Sequence, residues 1–268
     1  MRDFTLNIYR VFLIKLRERN YVFISFKKYI EDYKSIPDIK SSIAVIRHDV
    51  DLLPEFALLQ AKLEHNLGIH GTYYFRTVQE TFNIEIMQKI ASMGHEIGYH
   101  YEDIDLVLRS KKIKAQKLTQ EELIDRAYES FCKNLEMFRG YFDIKTICMH
   151  GSPLSKYDNK LIWTKYDYKK LNILGEPYFD INWDEFGYLT DTGRRWNGES
   201  VSIRDKVDNN FKFNFRNTKD IINDISSLPD KIMFTIHPQR WTNKYIPWMK
   251  ELVFQNIKNE IKRFLVAK

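Results

Sequence analysis

The order of residues in this chain predicts an α/β fold, a parallel sheet or closed barrel with helices outside it. Two observations carry that expectation. β-prone runs and amphipathic helical stretches alternate along most of the length. Several of the β-prone runs also end in a histidine or a pair of carboxylates, and in such folds polar residues gather where strands give way to loops.

In order, Phe4–Arg19 has helical spacing, with Ile8, Val11, Phe12, Ile14 and Leu16 on one broad face. Tyr21–Phe26 is a short β-prone run, and Phe26–Tyr33 reads as helical. Ile43–Asp51 is the first barrel-type strand. Pro54–Leu67 is a helix opened by a proline, which costs nothing in a first turn, and closed by Gly68. Thr72–Arg76 is the next strand, Ile84–Met93 a helix, His95–Tyr101 a strand, Glu121–Phe138 a long helix and Lys145–His150 a strand. Ser155–Tyr168 reads as helical and aromatic-rich. Asn172–Phe215 breaks into short segments rich in turn residues, expected to give strands, loops and part of an active-site wall. Lys219–Ile225, Lys231–His237 and Pro247–Phe264 complete the chain as helix, strand and helix. No repeat or linker divides it, so residues 1–268 are expected to form one domain, with 1–42 as an extension packed on the barrel.

Composition narrows the class. With 268 residues, 44% hydrophobic and 29% charged, the chain has the material for a core, and long disorder is not expected. Net charge is +6 and pI about 9.0, with five basic residues and no acid in Arg109–Lys117. That run is either a solvated face or a contact for an anionic partner such as a phosphate-bearing substrate or a membrane surface. No nucleic-acid module is visible. Cys132 and Cys148 have neither disulfide nor metal-type spacing and read as buried free thiols. No apolar stretch approaches the ~18 residues of a membrane span. A cytoplasmic protein is expected, with peripheral membrane contact left open.

Five polar clusters stand at strand ends or in loops. In Arg47–Asp51 (R-H-D-V-D), alternation puts Arg47, Asp49 and Asp51 on one face and His48 on the other, as a packed histidine. Two carboxylates on one face repel unless a cation or a shared proton relieves them. In Gly94–Asp103 (G-H-E-I-G-Y-H-Y-E-D), Glu96, Gly98, His100 and Glu102 share a face, and His100 with Glu102 offers a metal-capable nitrogen and oxygen. His95 reads as structural. Met149–Pro153 presents His150 from a tight loop, and Thr235–Trp241 brings His237 off an apolar strand, a candidate for acid–base work. In Asp191–Trp196, Arg194 and Arg195 either bind an anion or sugar hydroxyls or hold the loop by ion pairs. Trp196 either offers a sugar a flat surface or is packed.

Assembled in this order, the clusters resemble the NodB-type polysaccharide deacetylases, carbohydrate esterase family four, and more closely their divergent branch from surface-polysaccharide gene clusters. The resemblance runs from about Ile43 to Trp241, and G-H-E-I-G-Y-H is its most specific element. It implies a distorted (β/α) barrel of fewer than eight units and a divalent metal, zinc above others. The implied reaction removes an N- or O-acetyl group from a sugar during surface-polysaccharide precursor biosynthesis, the precursor being nucleotide- or lipid-linked. By the same resemblance Asp49 is the catalytic base, Asp51 and His100 are metal ligands and His237 is the general acid. Glu102 is the expected third ligand, with Asp103 and His150 as alternatives. His150, Arg194, Arg195 and Trp196 are assigned to substrate. The chain departs from the pattern where Val50 separates aspartates that are usually adjacent, and where Ile104 stands in place of a second histidine. Two other readings stand beside it: an amide hydrolase acting on a non-sugar substrate, as other relatives of the fold do, and, from the missing second histidine, a glycan-binding or scaffold relative without catalysis.

Overall fold

The computed structural model describes residues 2–34, 41–110, 118–152, 155–197 and 204–266. Seven strands form one sheet: β1 (Val22–Ile24), β2 (Ile43–Val50), β3 (Thr72–Phe75), β4 (Glu96–Tyr101), β5 (Ile147–Met149), β6 (Gly187–Thr190) and β7 (Lys231–Ile236). The order is β5-β4-β3-β2-β7-β6, every pairing is parallel, and β1 pairs with the first half of β2. The N-terminal segment therefore contributes a strand as well as a helix.

Strand alternation sorts the side chains into two environments. On the outer face, Ala44, Ile46, Leu189, Ile232, Phe234 and Ile236 pack beneath the helix Leu6–Glu18. Tyr73, Phe75, Ile97, Tyr99, Tyr101 and Met149 pack beneath the helices Ile84–Ser92 and Gln120–Arg139. On the inner face, Val45 of β2, Tyr74 of β3, Cys148 of β5, Tyr188 of β6 and Met233 of β7 belong to a single cluster. Residues from both ends of the strand order can share one cluster only if the sheet curls. The architecture is accordingly an α/β distorted barrel of fewer than eight units, its concave face lined by every second residue.

The expected elements recur with boundaries moved by a few residues. In Leu6–Glu18 the buried face is Ile8, Tyr9, Phe12, Leu13 and Leu16, and Val11 is exposed. Ser155–Tyr168 differs in kind: it holds the 3-10 turn Asn159–Thr164, and a second one, Tyr168–Leu171, follows. Asp158 and Asp167 each accept a hydrogen bond from the backbone N–H two residues ahead, so each turn is capped afresh and no α-helix propagates. A further helix, Asp103–Arg109, begins two residues after the end of β4. Of the basic run, residues 111–117 lie outside the described residues.

Asp103 turns outward, away from the concave face. Its Oδ2 accepts from Tyr99 Oη at 2.6 Å, and its Oδ1 from Ser130 Oγ and Asn134 Nδ2, each at 2.7 Å. Burial outweighs these three donors and pushes the carboxyl up to about 6. A carboxyl raised on folding stabilises the native state most below its unfolded pKa, and that contribution disappears as pH rises through the folded value. Between about pH 3 and 7 the wild type should lose about 3 kcal/mol relative to Asp103→Asn. Urea unfolding of both proteins at several pH values measures the difference, and parallel pH profiles would refute the assignment.

Candidate active site

The concave face carries its polar residues at the C-terminal strand ends. Arg47 and Asp49 project inward from β2, where Arg47 Nε and Nη2 donate to the two Asp49 carboxylate oxygens at 2.8 and 2.6 Å. Both are almost fully buried. Removing either partner of such a pair typically costs about 3–5 kcal/mol, because the other charge is left in the interior. The Arg47 guanidinium also lies 5.0 Å from the centre of the Tyr178 ring. On β4, Gly98 makes room for the Tyr74 ring: a Cβ there would sit 2.3 Å from Tyr74 Cε1. Tyr74 fills the floor two positions before His100, and its hydroxyl hydrogen-bonds Thr146 Oγ1 at 2.9 Å.

His100 is oriented by its backbone neighbour. Its Nδ1 donates to the Cys148 carbonyl at 3.0 Å, which leaves the Nε2 lone pair directed into the site. There Nε2 lies 3.5 Å from Asp51 Oδ1 and 3.3 Å from His150 Nδ1, and His150 Nδ1 lies 3.1 Å from the same Asp51 oxygen. Ligand atoms held at about 2.0–2.1 Å by a tetrahedral ion are roughly 3.3 Å apart, and this triangle has those edges. Asp51 Oδ1 is enclosed yet forms no well-directed hydrogen bond. Burial works to raise the Asp51 carboxyl, but His150, His100 and His237 together hold it well below the usual carboxylate range. One carboxylate oxygen and two imidazole nitrogens fit a divalent first-row ion, zinc in particular. A second grouping, Asp49, His100 and Cys148, is poorer. Arg47 occupies the Asp49 oxygens, and burial pushes the Cys148 thiol well up, away from the thiolate that binds metals.

His237 faces the triangle from the far side, with Nε2 3.8 Å from Asp51 Oδ2. Its Nδ1 is 2.6 Å from Asp191 Oδ1. Asp191 is fully buried and also accepts from the His237 backbone N–H, Arg240 Nη1 and Trp241 Nε1. Burial acts to raise its carboxyl, while Arg240 and His237 bring it below the ordinary value. An imidazole held this way by a carboxylate presents one defined nitrogen to the cleft. Asp205 completes the wall: it accepts from Tyr178 Oη, Tyr188 Oη, Thr190 Oγ1 and Thr192 Oγ1, and Arg47 and His237 hold its carboxyl far down against the effect of burial. The cleft these groups line has a volume of about 450 Å³, and the exposed Lys258 and half-buried Lys262 also line it.

Asp49, Asp51, His100, His150 and His237 are thus brought together from β2, β4, β5 and β7. Glu102, expected as a ligand, is not among them. It lies one residue beyond β4, and both its oxygens are taken by Arg76 at 2.7 and 2.8 Å. Arg194, Arg195 and Trp196 also fall away from the cleft. Arg194 stacks on Phe4 and Trp248, Arg195 donates to Asn197 Oδ1, and Trp196 is buried in the outer core, donating to Thr218 Oγ1. A polar residue preceding a tryptophan-containing turn was the visible sign of Asp191, but its partner lies 46 residues on. Asp205 gave no sign. His48 and His95 are structural: His48 Nε2 pairs with buried Glu64 at 2.7 Å, and His95 Nε2 bonds the Ala61 carbonyl.

No protein-family model and no curated protein matches the sequence. Similar solved structures include wild-type BA3943, described as a CE4 family pseudoenzyme from Bacillus anthracis, at 11% identity and a TM-score of 0.41. That match covers 82% of this chain and 61% of the other. A mutant of BA3943 described as having restored enzymatic activity matches with the same identity and TM-score, over 63% of its length. The chain therefore spans less than two thirds of the length of these structures.

Proposed function

We propose that the chain is a divalent-metal-dependent hydrolase that removes an acetyl group from an N- or O-acetylated sugar of a surface-polysaccharide precursor. The observation that carries this reading is the triangle of Asp51, His100 and His150 with the Asp191-bound His237 beside it. Bound there, a divalent ion would polarise the acetyl oxygen and make a water more acidic. The remaining chemistry belongs to the side chains. Asp49, fixed by Arg47, stands 3.8 Å from His100 Nε2 and accepts the proton of the attacking water. His237 Nε2 donates a proton to the departing amine or hydroxyl, its ring fixed through Nδ1 by Asp191. The cleft's size is that of small-molecule sites. The exposed Lys258 in its lining suits the phosphate of a nucleotide- or lipid-linked sugar, a task the sequence suggested for the Arg109–Lys117 run.

The test is acetate release from acetylated nucleotide sugars and lipid-linked sugars by protein reconstituted with Zn²⁺, Mn²⁺ or Co²⁺, alongside metal content by mass spectrometry. About one ion per chain and turnover of a sugar substrate are expected. Protein that stays metal-free and inert on every acetylated sugar would overturn the reading, and preferential cleavage of simple acetamides would move the substrate outside carbohydrates.

A further inference from the structure

The helix Tyr245–Val266 is inside out. Its buried positions include Gln255 and Asn259, which bond each other at 2.8 Å, and Asn259 Nδ2 donates to the Gly193 carbonyl at 2.9 Å. Its outward positions are largely apolar: Ile246, Val253, Phe254, Ile257 and Ile261 are 52–66% exposed, with Lys250, Asn256, Lys258 and Glu260 exposed among them. At 100° per residue, Ile246, Val253, Ile257 and Ile261 fall within an arc of roughly 80°. A surface helix of a water-soluble protein normally shows the opposite distribution. Leu52 and Leu53, in the loop after β2, are also exposed, and Leu53 and Phe56 form with Ile246, Val253 and Ile257 a shallow apolar groove of about 700 Å³.

Three features bear on what covers this face. Lysines outnumber acids on it: Lys250 is exposed within the stripe, Lys244 precedes the helix, and Lys258 lies with its ammonium 4.3 Å from the centre of the Phe254 ring, against Glu251 in the groove and the exposed Glu260. The stripe is also continuous with the cleft, since Phe254, Lys258 and Ile261 line its mouth. Finally, a second copy docked across a two-fold axis through the stripe would set this lysine-bearing patch against itself, which is unfavourable. An anionic lipid surface accepts both components at once, apolar side chains below the headgroups and ammonium groups on the phosphates. No helix among the described residues is long and apolar enough to cross a membrane, so the contact is with the surface.

We infer that the exposed face of residues 246–261, with Leu52 and Leu53, docks the protein on an anionic membrane surface and sets the mouth of the cleft beside the headgroups. The inference does not depend on the reaction carried out in the cleft. Sedimentation with vesicles tests it, comparing phosphatidylcholine alone with phosphatidylcholine plus phosphatidylglycerol. The wild type should pellet with the mixed vesicles and at least about tenfold less with the neutral ones. Val253→Asp with Ile257→Asp, and separately Lys250→Glu with Lys258→Glu, should each weaken pelleting about tenfold or more while circular dichroism stays unchanged. Failure to pellet with mixed vesicles would overturn the inference. So would light scattering that shows a wild-type dimer converted to monomer by Val253→Asp with Ile257→Asp, since a second copy would then be the occupant.

Discussion

His150→Ala is expected to lower affinity for the divalent ion by more than about 100-fold, whereas Glu102→Gln changes it by less than about tenfold. The contrast separates the arrangement of the fold from the expectation raised by the G-H-E-I-G-Y-H-Y-E-D stretch. His150 Nδ1 stands 3.1 Å from Asp51 Oδ1 and 3.3 Å from His100 Nε2, so its loss removes one of three donors. Substitutions of outer-shell partners cost about 10–100-fold in metal affinity, and loss of a ligand should exceed that range. Glu102 serves Arg76 instead, so its substitution should lower thermal stability and spare the metal. Competition with a chromophoric chelator measures both. Equal effects of the two substitutions, or none from His150→Ala, would place the ion elsewhere.

The second large effect concerns proton delivery. His237→Ala and Asp191→Asn should each lower kcat for an acetamido sugar by about 10²–10⁴ with metal content unchanged. Asp191 receives N–H donors on both oxygens, from His237 and Arg240 on one side and the His237 backbone and Trp241 on the other. An asparagine would turn its own N–H groups toward one of those sets in either orientation, and the imidazole would lose its alignment. An aryl ester is the diagnostic substrate, because a phenolate that leaves without protonation has little need of an acid. For 4-nitrophenyl acetate the loss should stay below about tenfold. A uniform loss on both substrates would assign His237 to something other than protonating the leaving group, and His237→Gln provides the comparison if Asp191→Asn does not fold.

Much of this site was legible because alternation along a strand is a strong rule. It put Arg47, Asp49 and Asp51 on one face and His48 on the other, and it sent His100 inward with Gly98. The rule does not carry evenly past the strand ends: Asp51, one residue beyond β2, stays on the cleft side, whereas Glu102, one residue beyond β4, is held by Arg76 where the chain enters a helix. Loops were legible in part. His150 was singled out, but its proximity to Asp51 depends on how β5 pairs with β4. Arg194 and Trp196 had the composition of a sugar platform, and tertiary packing claimed them for the aromatic layer around Trp248 and Phe234. Asp191 owes its position to the pairing of β6 with β7, which sets it beside His237, and Asp205 to its bonds with Tyr178 and with the end of β6. Local spacing contains no information about either.

The in-strand pair of Arg47 and Asp49 has one further consequence. His48 lies between them and faces the other way, bonded to Glu64 of the helix Pro54–Asn66 and stacked on Tyr73. Three successive residues therefore belong to two different environments, and a slip of β2 by one residue would exchange them. It would thrust an ion pair into the apolar outer layer and strip the helix of its buried anchor, while emptying the cleft of the Asp49 carboxylate. Such a mispaired chain would be unfolded-like on both sides of the sheet at once, so no partly folded form with a shifted β2 should persist. Pairing of this strand with β1, β3 and β7 together is what denies it that freedom.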